Sequence, residues 1–501
     1  MESIVKNLQE YVLGEKWDDS LPPYVALKLA LDGDKQGFIN KILESSPASL
    51  SGNWTHAAWE YPELYAAAGI TMVNKDLPSQ VLTKLLELTE TAELMYGDRP
   101  DNTQGGNLAF RLFSKVCRGV FEHELDGKED LATRAHHEVI DSLRAMPSGT
   151  LSPGFPEKWE DMPHVGLYDD SGFSQHNYAG TQMYWFGYGI RWMEEMLNYA
   201  KWTFGSKFDI SSDIAHTCAN AMYHGIRPLF YGGKGVFLLA GRQAWKQNHW
   251  SFDDWTYMKR AQEIQSFLLP NTFHMELVER SKEWIREGRS TDFGRCYTST
   301  GVITRYSSRR DLYMLLRFGS SRISGAESLG QADENFHNGD ANHLIYTYPG
   351  EYERVQGLMR WNEIPGSIVD ITKSSPPKFE WNGYTEDSWV RMSPTSVVGQ
   401  YRKELSDYRV YHETTILENG IDRKAIVLDG ELGNFLAIVD YTLREDNFEV
   451  SVQQVKNGRK TYTVSRGRAR ITQETKEGSR VVKIHVAPTP EGIVSYSIRV
   501  E

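Results

Sequence analysis

TGVITRYS (300–307), followed by YMLLRFG (313–319), is the stretch on which the reading of this chain turns. Branched and aromatic residues alternate there with polar ones at period two, the mark of a half-buried β-strand rather than a helix. The texture persists in HLIYTY (343–348), RVYHETTIL (409–417), AIVLDG (425–430), FLAIVDYTL (435–443), FEVSVQQV (448–455), RKTYTV (459–464), RVVKIHV (480–486) and IVSYSIRV (493–500). Turn signals at Glu418-Asn419-Gly420 and Lys456-Asn457-Gly458 separate the runs, as hairpins require. Everything beyond about residue 292 is expected to be antiparallel β.

Upstream the period changes. In SQVLTKLLELTETAELMY (79–96), Val81, Leu82, Leu85, Leu86 and Leu88 fall at helical spacing, and similar stripes occupy 107–124, 130–145, 183–203, 211–224 and 254–268. Breaks rich in Gly and Pro near 97–106, 147–172 and 226–235 divide these stripes into consecutive helical hairpins. Segment 270–290 reads as a charged last helix or connector. The expected fold class is α+β and multidomain, with helical hairpins over 1–290 and an antiparallel β domain over 291–501.

The 501 residues carry 55 Lys plus Arg against 67 Asp plus Glu, a net charge of -12, and no basic block offers a phosphate-tracking surface. Nucleic acid is not an expected partner. Each apolar run is broken by charge before the roughly 20 residues a membrane span needs, and the first 20 residues lack a signal-peptide core. No membrane anchor is expected. Cys117, Cys218 and Cys296 are scattered and form no CxxC spacing, so neither a disulfide framework nor a thiolate metal site is indicated. The 14 Trp, 26 Tyr and 20 Phe are more telling. Most such rings fill cores, but flat rings at a soluble surface also stack on the apolar faces of sugars.

Three clusters in the helical half carry candidate chemistry. Thr103-Gln104-Gly105-Gly106-Asn107 approaches a helix start, where Asn107 is either an N-cap or a functional amide. Asp169-Asp170-Ser171-Gly172-Phe173-Ser174-Gln175-His176-Asn177-Tyr178 is a polar loop leading into an aromatic helix, Tyr184-Trp185-Phe186-Gly187-Tyr188-Gly189. Arg242 and Lys246 share a face if 239–246 is helical, and a solvated face is the plain alternative.

These residues together resemble the family 8 polysaccharide lyases, which break hyaluronan, chondroitin, xanthan and mannuronan by β-elimination. Asn53-Trp54, with Trp59 and Pro62 downstream, is similar to the family's Asn-Trp-Trp opening, whose aromatics line the sugar cleft. Thr103 to Asn107 followed by Arg118-Gly119 resembles its TGAN helix, which carries the catalytic Asn. Gly172 to His176 matches its DGSF-x-QH segment, which carries the catalytic His. Gly241-Arg242 resembles its SRGRxISR run, with Lys246 in place of the second arginine. In the β half, Ser320-Ser321-Arg322-Ile323, Glu327-Ser328, Glu334-Asn335, Gly339-Asp340 and Trp361 to Gly366 follow the family's order. The likeness covers roughly residues 53–370. It departs at the tyrosine, which in the family lies nine residues after the histidine inside YTGAYG. Here Tyr184 lies eight after His176 within GTQMYWFGYG, and Tyr188 is a competitor.

The resemblance implies an incomplete (α/α) toroid followed by a β-sandwich, and a metal-free, cofactor-free lyase acting as a monomer on an anionic, 4-linked uronate polysaccharide. A secreted or periplasmic home follows from the same likeness. It places Asn107, His176, Tyr184, Arg242 and Glu334 in catalysis, and Asn53, Trp54, Trp59, Gln175, Tyr188, Lys246, Arg322 and Asn335 around the substrate. Such chemistry needs these groups. A uronate carboxylate opposes a second negative charge at C5 until an amide and a cation neutralise it. A base must then take the C5 proton while an acid protonates the departing O4. Arg118, Arg191, Arg242, Lys246, Arg309, Arg310 and Arg322 are the cations from which a positive cleft is expected despite the net charge. Two alternatives stay open: a glycoside hydrolase on a helical toroid, for which Asp169-Asp170, Glu194-Glu195 and Asp253-Asp254 supply only adjacent acidic pairs, and an inactive carbohydrate-binding relative.

Overall fold

A computed structural model describes residues 1–47, 55–90, 105–148, 165–175, 180–239, 241, 273–287, 292–325, 337–356, 358, 364–372, 383–403 and 406–501. The chain divides into two compact units. The helical unit comprises Met1–Ala145, Tyr188–Ala219 and Tyr257–Met275, and the β-rich unit comprises Met146–Gly187, Asn220–Thr256 and Glu276–Glu501.

In the helical unit the 22-residue helix Gly105–Asp126 is the hub against which Tyr61–Met72, Ser79–Leu88, Asp130–Leu143 and Ile190–Thr203 pack. Leu108, Leu112, Val116 and Val120 repeat at intervals of four and are all buried, the inward stripe that an amphipathic helix needs. Two glycines allow close crossings. A Cβ at Gly119 would lie 2.6 Å from that of Ala132 in Asp130–Leu143, and one at Gly69 would lie 2.5 Å from the Phe121 ring. Among the described residues no helix is long and apolar enough to cross a membrane.

The β-rich unit holds three larger sheets. The first is a four-stranded antiparallel meander, Phe293–Tyr297, Val302–Ser307, Leu312–Arg317 and Asn342–Tyr346. An eight-stranded sheet runs Trp389–Ser393, Ser396–Tyr401, Val410–Leu417, Gly420–Val427, Ile493–Val500, Lys460–Arg466, Gln454–Asn457 and Glu449–Val450. The third contains Arg468–Lys476, Ser479–Ala487, Phe435–Leu443 and Ile368–Asp370. One continuous apolar core draws on all three, from Leu316 and Phe318 through Val410 and Ile498 to Val439 and Ile484. Both expected hairpins form. Leu417 pairs with Gly420 and Asn457 with Lys460, which leaves two-residue loops. Two short ribbons, Gly166–Leu167 with Phe173–Ser174 and Phe230–Tyr231 with Lys234–Gly235, belong to this unit although they interrupt the helical stretch of sequence. Cys117 and Cys218 are buried and Cys296 is partly so.

Candidate catalytic site

The loop expected to carry the imidazole rises from a stem closed by hydrogen bonds. Tyr184 N–H donates to Phe173 O at 2.8 Å, Gln182 N–H to Ser174 Oγ at 2.9 Å, and Gln182 Nε2 to the carbonyl of the buried Gln175 at 3.1 Å. Asp170 holds the entrance of the loop. Its Oδ1 accepts from Gly172 N–H at 2.8 Å and from Ser299 Oγ at 2.9 Å, while Oδ2 accepts from Ser299 N–H at 2.7 Å. A Cβ at Gly172 would stand 2.4 Å from Ser299 Oγ, so the approach needs glycine. Thr181 holds the exit, donating its N–H to Arg322 O at 2.8 Å and its hydroxyl to Ser299 O. The entrance is therefore tied to the turn between the first two strands of the meander, and the exit to that turn and to the segment at Arg322.

The sequence predicts an aromatic helix over Tyr184–Gly189, and the structure corrects this. Phe186 is extended at φ -74° and ψ 117°, Gly187 is left-handed at φ 94°, and regular helix begins only at Ile190. The break gives the two competing tyrosines different surroundings. Tyr184 belongs to the β-rich unit and is 2% exposed. Its ring lies over Gly241, where a Cβ would sit 2.6 Å from Cζ and where φ is +54°. Glycine alone satisfies both the conformation and the space. Arg322 is partly exposed, and burial draws its pKa down from the usual arginine value. Among the described residues no carboxylate pairs with its guanidinium, and its buried Nη2 finds no acceptor.

In the helical unit, helix Gly105–Asp126 begins two residues before Asn107, so the N-cap reading does not hold. Asn107 is buried near the N-terminal end of this helix, where the helix dipole is positive. Tyr188 covers the preceding residue, since a Cβ at Gly106 would lie 2.5 Å from its ring. Phe110 sits one turn on, edge-on to Tyr188 with ring centroids 6.0 Å apart, and stacked on Trp59 at 4.7 Å and 15°. Trp59 lies in a wide turn, His56–Glu60, at the head of Tyr61–Met72. Arg191 stands 5.8 Å above the Phe110 ring and pairs with Glu194 at 3.1 Å and Glu195 at 2.5 Å. Burial, opposed by Arg191 and reinforced by Glu195, pushes the Glu194 carboxyl up to about 8. The same causes raise Glu63 to about 7.

Of the residues expected in the site, Asn107, Trp59 and Tyr188 thus fall together in the helical unit, and Gln175, Tyr184 and Arg322 in the β-rich unit. His176, Arg242, Glu334, Asn53, Trp54, Lys246 and Asn335 lie outside the described residues. Sequence reasoning passed over Phe110 and the anchoring roles of Asp170 and Thr181. The Asp-x-Gly spacing of Asp170 and Gly172, which closes a turn of its own, was the available signal for one of them. No group of three or more His, Cys, Asp or Glu among the described residues could hold a metal ion.

The architecture has counterparts among solved structures. The chain superposes on a chondroitinase AC lyase studied through oligosaccharide complexes and mutagenesis, with a TM-score of 0.72 at 13% identity over 100% of this chain and 82% of that one. The Streptomyces coelicolor A3 chondroitin AC lyase, solved in complex with chondroitin sulphate, gives 0.67 at 13% identity over 99% and 78%. A Paenibacillus xanthan lyase gives 0.62 at 11% identity over 100% and 56%. No family model and no curated protein matches the sequence. The fold is that of these polysaccharide lyases, an (α/α)-toroid of helices followed by antiparallel sheets.

Proposed function

We propose that this chain is a polysaccharide lyase of the family 8 type, which cleaves a 4-linked uronate polysaccharide by metal-independent β-elimination and leaves an unsaturated uronate end. The observation that carries the reading is the fold shared with chondroitin and xanthan lyases over the whole chain, at TM-scores of 0.72 and 0.62. The amide of Asn107 and the guanidinium of Arg242 neutralise the uronate carboxylate, so that charge developing at C5 spreads into an enediolate. His176 and Tyr184 carry the protons. An ordinary phenol, with a pKa near 10, is a poor base at neutral pH unless a cation beside it favours the phenolate. The packing of Tyr184 on Gly241, the residue before Arg242, supports that pairing. Tyr188 is read as part of the aromatic platform with Phe110 and Trp59. If the C5 proton and O4 share a face of the sugar, one tyrosine serves both transfers. If they lie on opposite faces, His176 is the base and Tyr184 the acid. Glu334 and Asn335 orient the cations or the tyrosine, while Arg322 and Lys246 attract the polyanion.

The test is a panel of hyaluronan, chondroitin, alginate, glucuronan and xanthan, assayed for ultraviolet absorbance of the conjugated C4–C5 alkene with and without chelator. A new chromophore that survives chelation is expected, with apparent affinity that weakens as salt rises. Saturated ends would point to hydrolysis and remove the lyase reading. An active Tyr184→Phe beside a dead Tyr188→Phe would reverse the tyrosine assignment.

A further inference from the structure

Arg317 ends the strand Leu312–Arg317, a run in which every residue is buried, and its own side chain is 1% exposed. Burial pulls its pKa down to about 10, and the group beside it that opposes the shift is the phenol of Tyr384, itself kept protonated by burial and by Asp340. The guanidinium fork is used on the backbone: Nη1 donates to the carbonyl of Leu238 and Nη2 to that of Gly325. Asn338, fully buried, adds a second bond to Leu238 O at 3.2 Å. Desolvating a cation for two neutral carbonyls is expensive, and an apolar side chain of similar volume would fill such a place at lower cost. What the arrangement provides is geometry, because a planar fork fixes two acceptors at once and a lysine does not.

The two acceptors mark what is being fixed. Leu238 lies in the short turn Phe237–Leu239, three residues before the glycine on which the Tyr184 ring rests. Gly325 follows three residues after Arg322, whose carbonyl holds Thr181 at the foot of the loop that ends in Tyr184. We propose that Arg317 is a positioning residue: its fork locks the Gly241 segment and the Arg322 segment to the meander sheet, and so sets the place of the Tyr184 ring without touching substrate. This deepens the lyase reading and rests on it for its catalytic consequence.

Arg317→Met keeps the volume and removes the fork. Hydrogen exchange followed by mass spectrometry on peptides covering 236–241 and 322–325 should lose protection at least tenfold, with the remainder of the sheets unchanged. On the polymer that wild type cleaves, kcat should fall about 100-fold, the scale of an ångström's misplacement, while KM stays within threefold. Arg317→Lys keeps the charge and should recover only a minor part of kcat. If the Met variant does not fold, the Lys variant is judged by the same two readouts. Arg423 supplies the comparison, since it is a buried arginine whose fork also holds two carbonyls, those of Ala341 and Gly366. Arg423→Met should lower the melting temperature and leave kcat within threefold. Unchanged exchange in the two segments, a wild-type kcat in a folded Arg317 variant, or an equal fall in kcat for Arg423→Met would each overturn the assignment. A wild type inactive on every uronate polymer removes the lyase reading instead, and exchange then decides the brace alone.

Discussion

In the helical unit Arg191 stands beside Glu194 and Glu195, with Glu63 near enough to feel the guanidinium and the Glu195 carboxyl. In the β-rich unit Lys460 lies between Glu351 at 2.5 Å and Asp440 at 3.2 Å, and Asp440 also accepts from Tyr352 and Tyr462 at 2.8 and 2.5 Å. Asp340 is met there by Lys403 at 3.0 Å and by His337 at 2.8 Å. The first arrangement has more acid than base and copes by keeping protons on its carboxyls. The second gives each carboxylate a lysine partner, Lys460 shared by Glu351 and Asp440 and Lys403 on Asp340, and copes by ion pairing and hydrogen bonds. The difference shows two ways of burying charge: carboxyls lifted toward neutrality beside the aromatic platform, and carboxylates held to buried lysines within the β-rich unit.

The largest expected effect tests whether the two units serve one reaction. Asn107→Ala in the helical unit and Tyr184→Phe in the β-rich unit should each lower kcat by about 10²–10³-fold. Groups acting as one machine are not additive, so the double variant should be little worse than the poorer single one. Losses that multiply would mean that the two residues act in separate steps or on separate ligands, and the comparison would become one between two sites. Initial rates of alkene formation at saturating polymer give the answer directly.

Next in size is the penalty for unbalancing the β-rich unit. Lys460→Met leaves Glu351 and Asp440 buried without their cation, and should cost about 3–5 kcal/mol in chemical denaturation. Glu195→Gln in the helical unit removes one member of an acid-rich group and should cost far less at neutral pH, because it also relieves repulsion of Glu63 and Glu194. Equal penalties would erase the distinction drawn between the two kinds of buried charge.

These features were unevenly legible in the sequence. The change from period 3.6 to period two gave the order of helices and sheets, because periodicity reports which face of an element is covered and needs no partner to be named. It failed at 184–189, where Trp185, Phe186 and Tyr188 look like a helical stripe but Gly187 takes φ 94° and breaks the chain between two units. Apolar content alone cannot tell a buried kink from a buried helix. Asn107 was legible as a polar residue at a helix start, but whether it caps the helix or sits inside it depends on Gly105 beginning the turn. Arg317 left a trace that went unread: a cation closing the apolar run YMLLR. Its partners are backbone carbonyls at 238 and 325, and a carbonyl has no signature in a sequence.

The smallest effect, per pH unit, is on stability, and its sign should differ between the units. Glu63 and Glu194 titrate near 7 and 8 in the fold against 4.5 for an exposed glutamate. Between those values the folded chain holds protons that the unfolded chain has lost, so the stability they contribute is whole below about pH 4.5 and drains as pH climbs through 8. The slope is at most about 1.4 kcal/mol per pH unit for each group. In the β-rich unit, burial and the nearby Arg423 lower His343 to about 3 and hold His412 well below its usual 6.5. For these two histidines the unfolded chain binds the extra protons, so the stability they contribute is whole above pH 6.5 and is lost as pH falls toward 3, outweighing the buried Glu353 of the same unit, which burial pushes up to about 7. Protection factors from hydrogen exchange, corrected for intrinsic rates, should therefore peak near pH 5 for peptides of Gly105–Asp126 and Ile190–Thr203, and near pH 7 for those of Phe435–Leu443 and Ile493–Val500. Glu194→Gln should flatten the first curve and leave the second alone. A common optimum for both sets, or a Gln variant with the wild-type slope, would show that the carboxyls around Arg191 are ionised in the folded chain and that the contrast between the units lies elsewhere.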